Sequence, residues 1–280
     1  MEAEEIRVQP VNCLVWEIDR ADLKRPSYIY AILHKVSKKD FFLPKDLSSI
    51  LRQCDKLVME VDPLTYNMDH QHRGTMPIDS TLDVLLDKRK YQWLRSYVKD
   101  SLSDLAYYQL SSRYAPVLLA RQAISDYCLD YRPGKEAISY ETYLALNAGI
   151  PLRVLGTEWT RTAWLDTYNF QEQTDYLLST IENRSALCEI YMAIVRAYRR
   201  QNLDQIWLLA KDSPDVGDNT GKFLEARNFG WMEKLSWQLK KESLFIAVNA
   251  VQLPGEFGLI HLLRKKGFEV RPMNLEIPEN

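Results

Sequence analysis

Short apolar runs of β type alternate with longer amphipathic stretches along this chain, a pattern typical of an α/β protein. The runs lie near both ends, and the middle of the chain has helical periodicity. Strands are predicted at residues 13–18 (CLVWEI), 28–34 (YIYAILH), 56–61 (KLVMEV), 152–156, 245–248 (FIAV) and 268–270. The first two are close enough in sequence to form a hairpin. We therefore expect a small mixed β-sheet flanked by helices.

Helices are predicted where apolar residues recur at helical spacing and a start or stop signal is present. Ser80 has the side chain of an N-cap, and Pro116 and Pro254 suit the first turn of a helix. Gly149 and Gly267 are typical helix stops. Residues 213–221 (SPDVGDNTG) indicate a loop. The predicted helices cover residues 44–54, 80–97, 116–129, 139–148, 170–200, 203–211, 222–241 and 254–266.

The two ends of the chain follow one plan. Each has a strand that ends in a loop, then Leu-Pro, then a helix, with the loops at His34 and Gln252. Ligand sites of α/β proteins lie at such strand ends. We expect two related halves, residues 1–65 and 222–280, closing on one cleft, with a mainly helical insertion at 66–212, all within one domain.

The composition and the spacing of key residues argue against several classes of function. The 280 residues carry a net charge of −2, which gives no reason to expect nucleic acid as a partner. No apolar run reaches the roughly 18 residues of a membrane span, and the first residues, MEAEEIRVQP, predict no signal peptide. The four cysteines are widely spaced without C-x-x-C, so we interpret them as small apolar residues rather than zinc ligands.

Several short motifs occur in a fixed order. They are AILH at 31–34, Leu-Pro at 43–44, LVMEVD at 57–62, SYE at 139–141, GTE at 156–158, RNFGW at 227–231 and VNAVQLPGEFGLIHLLRKKGFEV at 248–270. Together they resemble the TraB/GumN family, which includes the Tiki metalloproteases, over nearly the whole chain. The resemblance implies a Tiki/TraB-like α/β fold, related to the erythromycin-esterase and ChaN-like proteins.

The resemblance also implies a site. Its residues would be His34, Glu60, Glu158, Arg227 and Gln252, with His34 and Glu60 as metal ligands. The family has a functional His where this chain has Gln252. A neutral amide oxygen is a weak ligand and cannot take up a proton as an imidazole does.

Further departures from the family pattern lie in this loop and in the strand before His34. Asn249 and Val251 replace glycines, and Ala31 and Ile32 replace Gly and Thr. Side chains in place of glycine fill space where the backbone could otherwise approach closely. The substitutions therefore fall on the positions nearest the expected chemistry.

Two functions stay open from these observations, with a purely structural helical scaffold as a third class. The first is a metal-dependent hydrolase, peptidase-like, impaired by the loss of the second His. The second is a non-catalytic protein that binds a peptide or small-molecule ligand, or a protein partner, in the remnant cleft. A divalent metal (Mn, Co or Zn) is expected to bind weakly or not at all. The resemblance implies an exported or cell-envelope protein of a bacterium, although the sequence leaves a cytoplasmic location open.

Other candidate residues have simpler interpretations. His70 and His72 have an H-x-H spacing that could bind a metal, but their polar surroundings favour a solvated loop. His261 is expected on the outer face of its helix, and Asp62 is interpreted as a turn residue before Pro63. The sequence contains no G-x-S-x-G, G-x-G-x-x-G or P-loop motif, so these classes of enzyme have no support.

Overall fold

A computed structural model describes residues 13–64, 75–130, 136–156, 168–211 and 218–278 of the chain. Its strands are β1 Val15–Asp19, β2 Ser27–Ile32, β3 Lys35–Ser37, β4 Lys56–Met59, β5 Ala137–Ser139, β6 Leu152–Val154, β7 Leu244–Asn249 and β8 Glu269–Met273. Six of them form a mixed sheet in the order β6-β4-β7-β2-β1-β8, and β3 pairs with β5 in a second, two-stranded sheet. The expected α/β fold, a mixed sheet flanked by helices, is confirmed.

Some of the helices pack against the sheet, and others pack on one another in a separate helical region. Their bounds are Leu47–Gln53, Leu82–Leu85, Lys88–Ser101, Asp104–Ser111, Pro116–Cys128, Tyr140–Asn147, Phe170–Glu182, Arg184–Arg199, Leu203–Lys211, Asp218–Gln238 and Leu259–Lys265. Short 3-10 helices lie at Lys38–Asp40 and Ala250–Gln252. Among the described residues, no helix combines the length and the apolar character needed to cross a membrane.

The centre of the sheet is parallel. β7 lies between β2 and β4, and the registers pair Ala31 with Val248, Met59 with Ala247 and Met59 with Val154. The carboxyl ends of β2, β7, β4 and β6 therefore meet at one edge. β1 pairs with β2 in the predicted antiparallel hairpin, and β8 closes the other side of β1.

Burial explains why the strand sequences are continuous apolar runs rather than alternating apolar and polar residues. Every residue of β2 is buried, and β7 is buried from Leu244 to Val248. A parallel sheet that helices cover on both faces needs such continuous runs. A second hydrophobic core forms between helices from the middle of the chain; its buried members include Leu94, Val98, Leu119, Leu177 and Ile181.

Two of the predicted helices are broken in the structure. The stretch at 80–97 becomes two helices, because Leu86 is extended and Asp87 caps the second one by accepting a hydrogen bond from the Lys90 N–H at 2.8 Å. Thr81, not Ser80, precedes the first helix. The stretch at 170–200 is likewise interrupted at Asn183.

Two predicted boundaries near the C-terminal half are wrong. Pro254 does not open a helix, since the last helix begins at Leu259 after Gly258. Residues 218–221 of the predicted loop belong to the helix Asp218–Gln238, and the preceding residues 213–217 lie outside the described part of the chain. The helix at Leu203–Lys211 is confirmed at both ends.

Candidate functional site

The carboxyl edge of the parallel strands carries most of the residues singled out from the sequence. His34 follows β2 by two residues, Glu60 follows β4 directly, and Gln252 lies in the 3-10 turn that follows β7. Because β7 pairs with both β2 and β4, the three loops leave the sheet side by side. We call this edge the strand-end site.

Glu60 is held from two sides. One carboxylate oxygen, Oε1, accepts a hydrogen bond from the Asn249 N–H at 3.0 Å, and the other, Oε2, lies 3.4 Å from Nη1 of Arg227. Only 8% of Glu60 is exposed. A carboxylate this buried needs such partners, because removal from water disfavours its charge. The contact joins β4, β7 and the helix Asp218–Gln238 at one point.

The turn after β7 is fixed by Asn228, the residue next to Arg227. The Asn228 side chain donates from Nδ2 to the carbonyl oxygen of Gln252 at 3.1 Å and to that of Phe257 at 2.8 Å. Asn249 accepts from the Val251 N–H at 3.1 Å and so tightens the start of the turn.

Gly258 closes the same loop by close approach of the backbone. A Cβ atom at this position would lie 2.2 Å from the carbonyl oxygens of both Leu253 and Pro254. Only glycine fits such a space. This glycine is part of the Gly-Leu pair in the family pattern, and its role is to fold the loop back onto itself.

Gln252 is completely buried, with 0% exposed. Neither Oε1 nor Nε2 of its amide has a hydrogen-bond partner within the described residues, and Oδ1 of the neighbouring Asn228 is also unpartnered. Most buried polar groups in proteins are hydrogen-bonded, and one that is not costs about 1–3 kcal/mol. The position of the missing family His therefore carries an unsatisfied amide.

His34 is the exposed member of the site. Its side chain is 46% exposed, and Nδ1 pairs with the Glu141 carboxylate at the start of the helix Tyr140–Asn147. The Ser139 hydroxyl donates to the other oxygen of Glu141 at 3.1 Å. A carboxylate on one ring nitrogen sets the tautomer and orientation of an imidazole. Glu141 was part of a motif but was not proposed as a site residue, because its pairing with His34 joins distant parts of the sequence.

Buried tyrosines support the backbone next to His34. The Tyr198 hydroxyl donates to the Ala31 carbonyl at 2.9 Å, and the Tyr30 hydroxyl lies 3.0 Å from the Tyr198 oxygen. Burial raises the pKa of both Tyr30 and Tyr198. The Tyr191 hydroxyl donates to the Lys35 carbonyl at 2.6 Å. The sequence contains no signal for these contacts beyond its aromatic content.

Three predicted residues cannot be placed, and one is corrected. Glu158, His70 and His72 lie outside the described residues. His261 is not on the outer face of its helix: it is partly buried, and its Nε2 is buried without a partner in the described structure. An imidazole in this position is a packing residue of the Leu259–Lys265 helix.

Among the described residues, the donors of the strand-end site do not make up a set of metal ligands. Zinc sites that do chemistry have three protein ligands, and no group of three His, Cys, Asp or Glu side chains comes together among the described residues. Both oxygens of Glu60 are engaged, and the Arg227 guanidinium beside them would repel a cation. The metal ligation that the family resemblance implies for His34 and Glu60 therefore has little support in this geometry.

Comparison with known proteins places the chain in a family. The model of the TraB/PrgY/gumN family matches residues 14–272, nearly the whole chain, and the protein belongs to this family. No curated protein and no solved structure matches it.

Proposed function

We propose that this protein is a non-catalytic member of the TraB/PrgY/gumN family that binds a peptide or peptide-like ligand at the strand-end site. The observation that carries the proposal is the arrangement around Glu60. Its carboxylate is shared between a backbone N–H and the Arg227 guanidinium, whose positive charge disfavours a cation at the same carboxylate. A site that has lost its ligand set but kept its fold is suited to binding.

Exposed aromatic side chains next to the site favour a ligand with an apolar group. Phe229 is 48% and Phe257 is 36% exposed, and their ring centroids lie 5.8 Å apart in an edge-to-face contact. Asn228 ties this pair to the turn at Gln252 through its bond to the Phe257 carbonyl. Aromatic side chains that remain exposed beside polar groups are common anchors of binding sites.

Binding is tested with a peptide library and two matched variants. We expect the parent to bind peptides that contain a large apolar residue, and Phe257→Ala to weaken the best of them by about tenfold, roughly 1.4 kcal/mol. Trp93→Ala is the control, since Trp93 is similarly exposed at 46% but lies in the helix Lys88–Ser101 of the insertion. Equal loss in both variants would count against a ligand at the strand-end site.

One observation favours a second function, hydrolysis without a metal. Glu141 holds Nδ1 of the exposed His34, so the other ring nitrogen is the one that can accept a proton from water. A general base of this kind typically contributes 10²–10⁴-fold to a rate. Hydrolysis of library peptides by the parent, lost in His34→Ala, would support this function over binding alone.

The loss of the family residues is tested by restoring them. The variant Gln252→His with Asn249→Gly, Val251→Gly and Ala31→Gly is compared with the parent in added manganese, cobalt or zinc. A peptidase activity or metal affinity about tenfold higher in the restored protein supports a degenerate site. A tenfold difference in rate corresponds to about 1.4 kcal/mol of transition-state free energy. A parent that cleaves peptides as fast as the restored protein does would contradict the proposal.

A further inference from the structure

A groove of about 500 Å³ lies along one face of the helix Arg184–Arg199, next to the end of the helix Pro116–Cys128. Its lining residues are Tyr127, Ser185, Cys188, Glu189, Met192 and Arg196. The last five are spaced three or four residues apart, which places them on a single helix face. None of the six belongs to the strand-end site. The volume is within the range of pockets that admit small molecules.

The groove carries two opposite charges that are separated along the helix axis. Glu189 and Arg196 are seven residues apart, with Met192 between them. Seven residues of an α-helix rise by about 10.5 Å, which is too far for the two groups to pair with each other. Both side chains are exposed, and neither forms an ion pair or a side-chain hydrogen bond with any residue that the structure describes. Both charges are therefore available to a ligand.

The middle of the groove is more apolar than its charged ends. Met192 and Cys188 are partly buried there, and Tyr127 is 41% exposed. The Arg184 guanidinium lies 5.5 Å from the centroid of the Tyr127 ring, an attraction that helps to fix the position of the ring. Ligand pockets typically combine an apolar lining with a few polar groups that fix the orientation of the ligand. The groove therefore suits a ligand with an apolar centre and a charge at each end.

We propose that this groove binds a short peptide with free termini, its ammonium group beside Glu189 and its carboxylate beside Arg196. An extended chain spans about 3.3–3.6 Å per residue, so a tripeptide covers about the distance between the two charges. The middle side chain of the tripeptide then lies against Met192 and Tyr127. This is a second site, and the proposal does not rest on ligand binding at the strand-end site.

The experiment uses the full chain and the tripeptide Ala-Leu-Ala, with binding followed through the NMR signals of the peptide's methyl groups. We expect saturable binding. Acetylation of the peptide's N-terminus and amidation of its C-terminus should each weaken binding about two- to fivefold, which is the size of the effect of an exposed ion pair.

Crossing the blocked peptides with two variants assigns each terminus to its partner. Glu189→Gln should weaken the free peptide about two- to fivefold and leave the affinity for the acetylated peptide unchanged. Arg196→Gln should do the same for the free and the amidated peptide. Glu182→Gln and Arg200→Gln are the matched controls, since both residues are exposed and lie close in sequence to the groove residues but do not line it. These controls should bind all three peptides as the parent does.

Four results would overturn the proposal. The first is a parent that does not bind the free tripeptide. The second is a Glu189→Gln protein that loses as much affinity for the acetylated peptide as for the free one. The third is an equal loss in the control variants, since this would mean a general effect of charge. The fourth is binding that is lost in Phe257→Ala and unchanged in the groove variants, since the tripeptide would then occupy the strand-end site.

Discussion

The unsatisfied amide at Gln252 makes a prediction about stability that is opposite in sign to the usual effect of a core substitution. We expect Gln252→Met to stabilise the protein. Met is unbranched and of similar size, so it replaces the amide without a large change in volume. Because both polar atoms of the amide are buried without partners in the described structure, their removal relieves a cost of about 1–3 kcal/mol.

Urea denaturation measures this gain directly. The midpoint should rise while the dependence on urea stays constant, which assigns the change to stability rather than to the compactness of either state. In a chain of this size, each kcal/mol corresponds to roughly 2–4 °C in the melting temperature. Gln205→Met is the matched control, because Gln205 is exposed on the helix Leu203–Lys211 and its substitution should change stability by less than about 0.5 kcal/mol.

A destabilised Gln252→Met variant would refute the reasoning. A loss of about 1 kcal/mol or more, with no loss in Gln205→Met, would mean that the amide of Gln252 makes a hydrogen bond in solution, for example to an internal water. The turn Ala250–Gln252 would then be held by its side chain as well as by Asn228.

Three further predictions concern the core, the ion pair and the response to pH. Tyr198→Phe should lower the free energy of unfolding by about 1–3 kcal/mol, because it leaves the buried Ala31 carbonyl without a donor. Tyr108 is 52% exposed, so Tyr108→Phe is the control and should cost little. Equal losses of stability in urea denaturation would contradict the role of the Tyr198 hydroxyl. Glu60→Gln and Arg227→Met should each destabilise the protein. A double-mutant cycle of the two should give a coupling free energy of about 0.5–3 kcal/mol, and additive losses would mean that the two groups do not interact. Burial raises the pKa of Cys54 from 9.0 to about 11, so the fold favours the neutral thiol. This contribution is full below pH 9 and is lost as pH rises toward about 11; Cys54→Ala should flatten the fall in stability over that window, and an unchanged slope would refute the assignment.

Local patterns were sufficient to predict most of the strands but not the sheet. The apolar runs at β2 and β7 can be recognised as strands from the sequence, because buried parallel strands are apolar on both faces. The hairpin of β1 and β2 was predicted, but the place of β7 between β2 and β4 could not be, since these pairings cross about two hundred residues. Pro254 was misleading because proline suits a turn as well as a first helical position, and the chain turns here until Gly258.

The candidate site, too, could be predicted from the sequence only in part. His34, Glu60 and Gln252 were predicted to lie together because each follows an apolar strand and occupies a position of a family motif. Their partners were not, because a pairing such as His34 with Glu141 depends on which loops the fold brings together. The buried state of Gln252 is equally a property of tertiary packing.

Calorimetric titration of the protein with manganese, cobalt and zinc tests the central claim most directly, with His34→Ala measured beside the parent. We expect no stoichiometric tight binding, because Glu60 is bonded to Asn249 and Arg227 and Gln252 offers no imidazole. One tightly bound ion per chain, lost in His34→Ala, would contradict it.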